Sequence, residues 1–189
     1  GAQVIHFVSE LNATYGQAAL TLEGNATSGL SLGYSSSNPA VAEVNGSKLL
    51  ILGSGTSVIT AYQGGNANFD AAPDRNATLQ VGKATLTVKA NDASKAYLAA
   101  VPSLSYELLG FVNDENASVL ATSPTIATVA NASSAAGTYP ITVTGGSAAN
   151  YQLSYQNGTL AVGKGAQVIH FVSELNATYG QAALTLEGN

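Results

Sequence analysis

Residues Gly1–Asn25 return letter for letter as Gly165–Asn189, so the chain reads as one 164-residue unit followed by the first 25 residues of another. Identity at a fixed spacing is the mark of a repeat architecture whose units contact their neighbours. It predicts a window of a tandem array, with self-association of neighbouring repeats or chains as the main interaction. The lack of any Met and of a signal peptide fits the same expectation. A second, weaker period of about 82 residues lies inside the first. Gly55-Thr56-Ser57-Val58-Ile59-Thr60 aligns with Gly137-Thr138-Tyr139-Pro140-Ile141-Thr142, and Asn66-Ala67-Asn68-Phe69 with Ala148-Ala149-Asn150-Tyr151. Asn76 to Lys83 likewise matches Asn157 to Lys164. Two related domains, 1–83 and 84–164, are expected to alternate, with 165–189 opening the next repeat.

Strand signals dominate both halves. Apolar residues alternate with small polar ones in short segments punctuated by Gly, Asn, Ser and Pro, and no helical stripe stands out. Leu30, Leu32 and Tyr34 share a face, as do Tyr139, Ile141 and Val143, and Tyr151, Leu153 and Tyr155. Asn45-Gly46 and Asn157-Gly158 each lie between strand-like runs, which predicts two type I′ hairpins. The expected fold is all-β: tandem immunoglobulin-like β-sandwich domains. The joints after Gly82-Lys83 and Gly163-Lys164 hold no long linker, which favours an extended rod of roughly 35 to 45 Å per domain.

Composition removes several functions. With 46% apolar and 9% charged residues, the chain is folded and not disordered. No apolar run reaches the length of a membrane helix. The net charge of −5 without a basic patch excludes a nucleic-acid partner. Zero Cys excludes disulfides and thiolate metal sites.

Several segments carry a family resemblance. Tyr15-Gly16-Gln17-Ala18, Tyr34-Ser35-Ser36-Ser37-Asn38-Pro39-Ala40-Val41-Ala42 and Gly64-Gly65-Asn66-Ala67-Asn68-Phe69 make the first domain similar to bacterial immunoglobulin-like (group 2) and MBG-type modules of large secreted proteins. The second domain resembles a companion MBG type through Gly137-Thr138-Tyr139-Pro140-Ile141-Thr142-Val143 and Ala149-Asn150-Tyr151. The resemblance implies a secreted or cell-surface sandwich array, often found in adhesins, and brings no catalytic residues. Tyr97-Leu98-Ala99-Ala100 departs from the pattern, which has Tyr-Gly there, and a different turn is expected.

Asn-x-Ser/Thr acceptor sites are dense: Asn12, Asn25, Asn45, Asn76, Asn116, Asn131, Asn157 and Asn176. Hairpin chemistry explains Asn45 and Asn157, and Asn12 and Asn176 are one site in two copies. The Asn-Ala-Thr/Ser triplets at 12, 25, 76, 116 and 131 have no equivalent turn requirement, so N-linked glycans are expected. Glycans would also shield β edges that few charges protect.

Catalytic signals do not survive placement on the strands. Gly29-Leu30-Ser31-Leu32-Gly33 fits a nucleophile-elbow pattern but lies on an alternating segment without a following helix. His6, repeated as His170, has neither Cys nor clustered carboxylates for a zinc site. Asn66, Asn68, Asp70 and Asp74 occupy positions 1, 3, 5 and 9 of an EF-hand-like loop. They form a weak calcium candidate, because Ala71 and Ala77 stand where Gly and Glu belong. Asp114 and Glu115 read as a surface turn, and no Lys and Asn stand out as an isopeptide pair. No cofactor other than glycans is expected.

Two functional readings remain. One is a structural repeat of a glycosylated extracellular filament, sheath or stalk on a prokaryotic surface. The other is a spacer or adhesive array of an adhesin binding carbohydrate, surface glycans or another cell. Identical units give identical contacts at constant spacing, which favours structure. In such an array, the strands of 165–189 would add to a neighbouring sheet or pack on the end of 84–164.

Overall fold

The structure is a computed structural model that describes residues 1–169 and 178–180. Every regular element among them is a β-strand except one 3-10 turn, Ala117–Val119. Nine strands precede Lys83: β1 (Ile5–Phe7), β2 (Glu10–Thr14), β3 (Leu20–Thr21), β4 (Gly24–Ala26), β5 (Gly33–Ser36), β6 (Ala42–Asn45), β7 (Lys48–Ile51), β8 (Gly55–Gln63) and β9 (Ala72–Gly82). Nine follow it: β10 (Ala84–Ala90), β11 (Ala93–Ala96), β12 (Tyr106–Leu109), β13 (Leu120–Thr122), β14 (Thr125–Thr128), β15 (Gly137–Thr144), β16 (Ser147–Ala148), β17 (Tyr151–Gln156) and β18 (Gly158–Gly163).

Each half is an immunoglobulin-like sandwich, and the two share one sheet arrangement. The four-stranded sheet β2-β9-β8-β5 corresponds to β11-β18-β15-β14, and no sheet among the described residues mixes strands from the two sides of Lys83. In both halves the chain's opening run is divided between sheets: β1 pairs antiparallel with β4, while β2 crosses over to run parallel to β9. Likewise β11 runs parallel to β18, and β10 is sandwiched between antiparallel β12 and parallel β17. The halves differ in their facing layers, since the first closes with β3-β7-β6 and the second with β12-β10-β17.

Alternation puts the core where the sequence pattern places it. Ile59 and Ala61 of β8 and Ala77, Leu79 and Val81 of β9 point inward, as do Leu86 and Val88 of β10 and Leu160 and Val162 of β18. Tyr139, Ile141 and Val143 face the second core, with Ile141 and Val143 fully buried. The Tyr151 stripe fades along its strand. Tyr151 is buried and Leu153 half-buried, but Tyr155 reaches the rim, where its hydroxyl donates to the Gly145 carbonyl at 2.8 Å.

Both Asn-Gly turns differ from expectation. At the first, Asn45 pairs with Lys48 inside the ladder, and Gly46-Ser47 make the turn. Gly46 has φ +61 while Ser47 has no positive φ, so the turn is of the II′ kind with Gly first. At the second there is no hairpin. β17 pairs with β10 and β18 with β15 and β11, so Asn157-Gly158 is the step at which the chain passes from one sheet to the other. Gly158 is required there because a Cβ would lie 2.9 Å from the Ala90 carbonyl oxygen. The Tyr97-Leu98 turn, expected to differ from Tyr15-Gly16, keeps the same left-handed conformation: Leu98 has φ +66 and Gly16 φ +85.

Candidate functional site: the module junction and the outward asparagines

A single residue, Lys83, separates β9 from β10, and the two sandwiches share a core across it. Tyr15, one residue beyond β2, is held by its amide, which donates to Gly82 O at 2.9 Å. Its ring enters the second half and meets Tyr151 edge-on at 5.7 Å, while Phe111 meets the same Tyr151 at 5.9 Å. Ala84, Leu86 and Ala148 complete the buried cluster.

A carboxylate locks this cluster from the rim. The Tyr15 hydroxyl donates to Glu115 Oε1 at 2.8 Å, and the Tyr151 hydroxyl donates to Glu115 Oε2. Val112 N–H donates to the Tyr151 hydroxyl at 3.0 Å. Glu115 is aimed inward by a tight turn: Asn113 and Asp114 have φ +55 and +56, and Glu115 N–H donates to Val112 O at 3.1 Å. Two consecutive left-handed residues closed by that bond make a type I′ geometry, which Asn and Asp tolerate better than other non-glycine residues. The surface turn expected at Asp114-Glu115 therefore also carries the carboxylate that joins Tyr15 to Tyr151, a role its spacing in sequence did not reveal.

Shape and backbone bonds complete the contact. Gly16 packs so tightly that a Cβ would stand 2.5 Å from Val112 Cγ2. Ser54 N–H donates to Asn150 Oδ1 at 2.9 Å, and Ala84 N–H donates to Asn150 O at 3.0 Å. Lys83 Nζ reaches Ala148 O at 3.3 Å.

Burial, first, and then the hydrogen bond to Glu115 push the Tyr151 phenol up from 10.0 to about 12. A raised phenol favours the folded state only while it is protonated. That contribution is complete below pH 10, where the unfolded phenol also keeps its proton, and it is lost as pH rises toward about 12. The thermal midpoint should therefore fall over this window, and Tyr151→Phe should make the fall shallower. An equally steep fall in the variant would show that Tyr151 is not the group responsible.

The seven acceptor asparagines among the described residues, Asn12, Asn25, Asn45, Asn76, Asn116, Asn131 and Asn157, are all exposed; Asn176 lies outside the described residues. Three use the side-chain oxygen locally. Asn76 Oδ1 accepts from Thr60 Oγ1 at 2.9 Å, Asn116 Oδ1 caps the 3-10 turn by accepting from Ser118 N–H at 3.0 Å, and Asn131 Oδ1 accepts from Ser133 N–H at 3.0 Å. Asn116 and Asn131 thus do have a turn role, contrary to the expectation for the Asn-Ala-Thr/Ser triplets. All three bonds engage Oδ1 and not Nδ2, the atom to which a glycan attaches.

The other sequence signals lie on loops and strands of the first sandwich. Asn66 Oδ1 accepts from Asn68 and Phe69 N–H at 2.8 and 3.0 Å, so it closes a loop tip, whereas Asp74 stands within β9. No group of three or more His, Cys, Asp or Glu that could hold a metal occurs among the described residues. Ser31 lies outside any regular element, two residues before β5, and His6 is paired with Asn25 across β1 and β4. His170 lies outside the described residues. No helix among those residues is long and apolar enough to cross a membrane.

Residues 86–161 match the family model of the MBG domain (YGX type), so this segment is an MBG-type module. No curated protein matches the chain. Among solved structures, Drosophila N-cadherin EC1-4 is 7% identical with a TM-score of 0.35, covering 86% of this chain and 50% of that one. The D00-D0 domain of Intimin is 13% identical with a TM-score of 0.35 over 85% of this chain and 98% of that one. The S-layer protein rSbsC(31-844) is 13% identical with a TM-score of 0.33 over 90% of this chain and 29% of that one. The chain thus spans half the length of the cadherin and under a third of the S-layer protein.

Proposed function

We propose that this chain is a structural repeat of an extracellular, N-glycosylated filament, sheath or stalk on a prokaryotic cell surface. The observation that carries the reading is the junction: two sandwiches joined by Lys83 alone share a core around Tyr15 and a hydrogen-bonded rim. A joint of this kind transmits orientation from module to module, and the letter-for-letter repeat supplies the same joint at constant spacing. The MBG-type module at 86–161 fits a repeat of a surface protein.

Glycans are assigned to the outward asparagines, where exposure and Oδ1-only bonding leave the acceptor nitrogen accessible. Peptide mass mapping of the native protein should find hexose-containing mass increments on the peptides holding Asn12, Asn25, Asn76, Asn116 and Asn131. Unmodified masses at all five would remove glycosylation from the proposal. Cryo-electron microscopy of native surface material tests the architecture. Ordered end-to-end or lateral packing of repeats is the expected result, and isolated rods ending in a distinct ligand-binding domain would make the array an adhesin spacer instead.

A further inference from the structure

A second interface is prefigured at the far end of the 84–164 module. The hydrogen bond that holds Tyr15 recurs one module later: Tyr97 N–H donates to Gly163 O at 2.9 Å, as Tyr15 N–H does to Gly82 O at 2.9 Å. Tyr97 follows β11 as Tyr15 follows β2, so the two tyrosines are structural counterparts. The other contributors to the first junction have counterparts in the same order. Leu98 replaces Gly16, Ala136 before Gly137 replaces Ser54 before Gly55, and Lys164 replaces Lys83. Tyr97, Leu98, Ala136 and Lys164 all line one cleft of about 700 Å³, together with Gly165, Ala166 and Gln167.

This cleft is open where the first junction is filled. Tyr15 is 6% exposed, whereas Tyr97 is 42% and Leu98 66% exposed. The conformation of Leu98, φ +66, is costly, because a left-handed backbone brings the Cβ of an L-residue too close to the following carbonyl oxygen. It is nevertheless enforced. Leu98 N–H donates to Ala132 O at 3.1 Å, and the buried Lys95 ammonium donates to Ala96 O, Ala99 O and Ala132 O at 3.3, 3.1 and 3.1 Å. All three protons of the ammonium are thereby engaged without a carboxylate, and the loop is clamped with Leu98 facing outward. Strain of this kind persists where surrounding contacts impose it and a site uses it.

The occupant can be read from the repeat. Residues 165–169 have the sequence of 1–5, and in the first copy that segment leads into a sandwich in which Ile5 is buried. In that copy, the face turned toward a preceding module carries the Asn66–Phe69 tip. Gly1 N donates to Asn68 O at 2.7 Å as Ala84 N donates to Asn150 O at 3.0 Å, which makes Asn68 and Phe69 the counterparts of Asn150 and Tyr151.

We propose that the Tyr97–Leu98–Ala136–Lys164 cleft is the second junction of the array and seats the Asn66–Phe69 tip of a following copy of the 1–83 module. The proposal rests on the repeat-array reading and deepens it. The array then alternates two joints of different chemistry. One is a Tyr-Gly joint locked by Glu115, and the other is a Tyr-Leu joint closed by apolar contact, with Ala136 N–H donating to Asn68 Oδ1 of the following copy and Lys164 to its Asn66 carbonyl.

The chain contains no Cys, so engineered pairs report directly on proximity. In the full-length protein, Ala136→Cys with Asn68→Cys should oxidise to a disulfide between consecutive modules, seen by non-reducing peptide mapping in most of the material. Ser54→Cys with Asn150→Cys, placed at the described junction, is the positive control. A linked 54–150 pair beside an unlinked 136–68 pair overturns the second junction and leaves the array reading standing. An intact mass of the native protein that accommodates only one complete 1–83 module overturns both, because no following copy would exist.

Discussion

Tyr15→Ala is expected to split the unfolding of the chain into two transitions, one for each sandwich, where the native protein unfolds in one. The ring is 6% exposed and is the piece of the first module that enters the core of the second. Truncating a buried aromatic costs about 3 to 5 kcal/mol, a span that includes the lost packing and the cavity left behind. Here the loss falls on Tyr151, Leu86 and Val112 more than on the first module's own core, so coupling between the modules suffers most. Tyr15→Phe separates the two components. It keeps the edge-on contact with Tyr151 and removes only the bond to Glu115 Oε1, a charge-assisted bond worth about 1.5 to 3 kcal/mol at most. Scanning calorimetry with a domain-specific probe on each module would decide the matter. A single unshifted transition in Tyr15→Ala would mean that the shared cluster contributes no coupling.

Gly16→Ala should be nearly as damaging although it adds one methyl group. Its φ of +85 costs an L-residue about 1 to 2 kcal/mol. The added Cβ would also lie 2.5 Å from Val112 Cγ2, 2.6 Å from Cβ and 2.8 Å from Cγ1. Because Val112 Cβ itself is too close, rotating the valine does not relieve the clash, and the modules must separate or the loop must shift. Overpacking of this sort costs about 1 to 3 kcal/mol, so the total is about 2 to 5 kcal/mol. Gly16→Ala with Val112→Gly removes the opposing Cβ, Cγ1 and Cγ2 together and should recover most of the packing part while retaining the backbone part, and urea unfolding of Gly16→Ala and the double variant, each against its own Gly16 parent, measures the difference. If the single variant were as stable as the native chain, the close approach at Val112 would be refuted.

Much of this was legible in sequence because it depends on local periodicity. Alternation along Ser57–Ala61, Ala77–Val81 and Leu86–Val88 assigns the inward face of each strand without reference to its neighbours. The outward placement of Asn12, Asn25 and Asn76 follows from the same alternation. The Asn-Gly signals succeeded only in part, since a turn propensity is local but the identity of the paired strands is not. Asn45-Gly46 still marks a reversal, displaced by one residue, whereas Asn157-Gly158 lies between strands of different sheets and needs its glycine for the approach to Ala90. Asn116 and Asn131 escaped because an Asx bond depends on the turn around it, which the triplet does not encode.

By itself the sequence determined the repeat, the all-β class, the outward asparagines and the shortness of the joints, since each is carried by neighbouring residues or by identity at fixed spacing. The tertiary structure alone decided which residues make the joint. Tyr15, Glu115 and Tyr151 are separated along the chain by 100 and 36 positions, and they become one hydrogen-bonded cluster only because β2 runs parallel to β9 and delivers Tyr15 to the start of β10. Nothing local distinguishes Glu115 from any exposed acid or Leu98 from any loop leucine. Their roles come from two left-handed residues that turn Glu115 inward and from a buried ammonium that holds Leu98 out, both of them consequences of chain crossings that no short segment records.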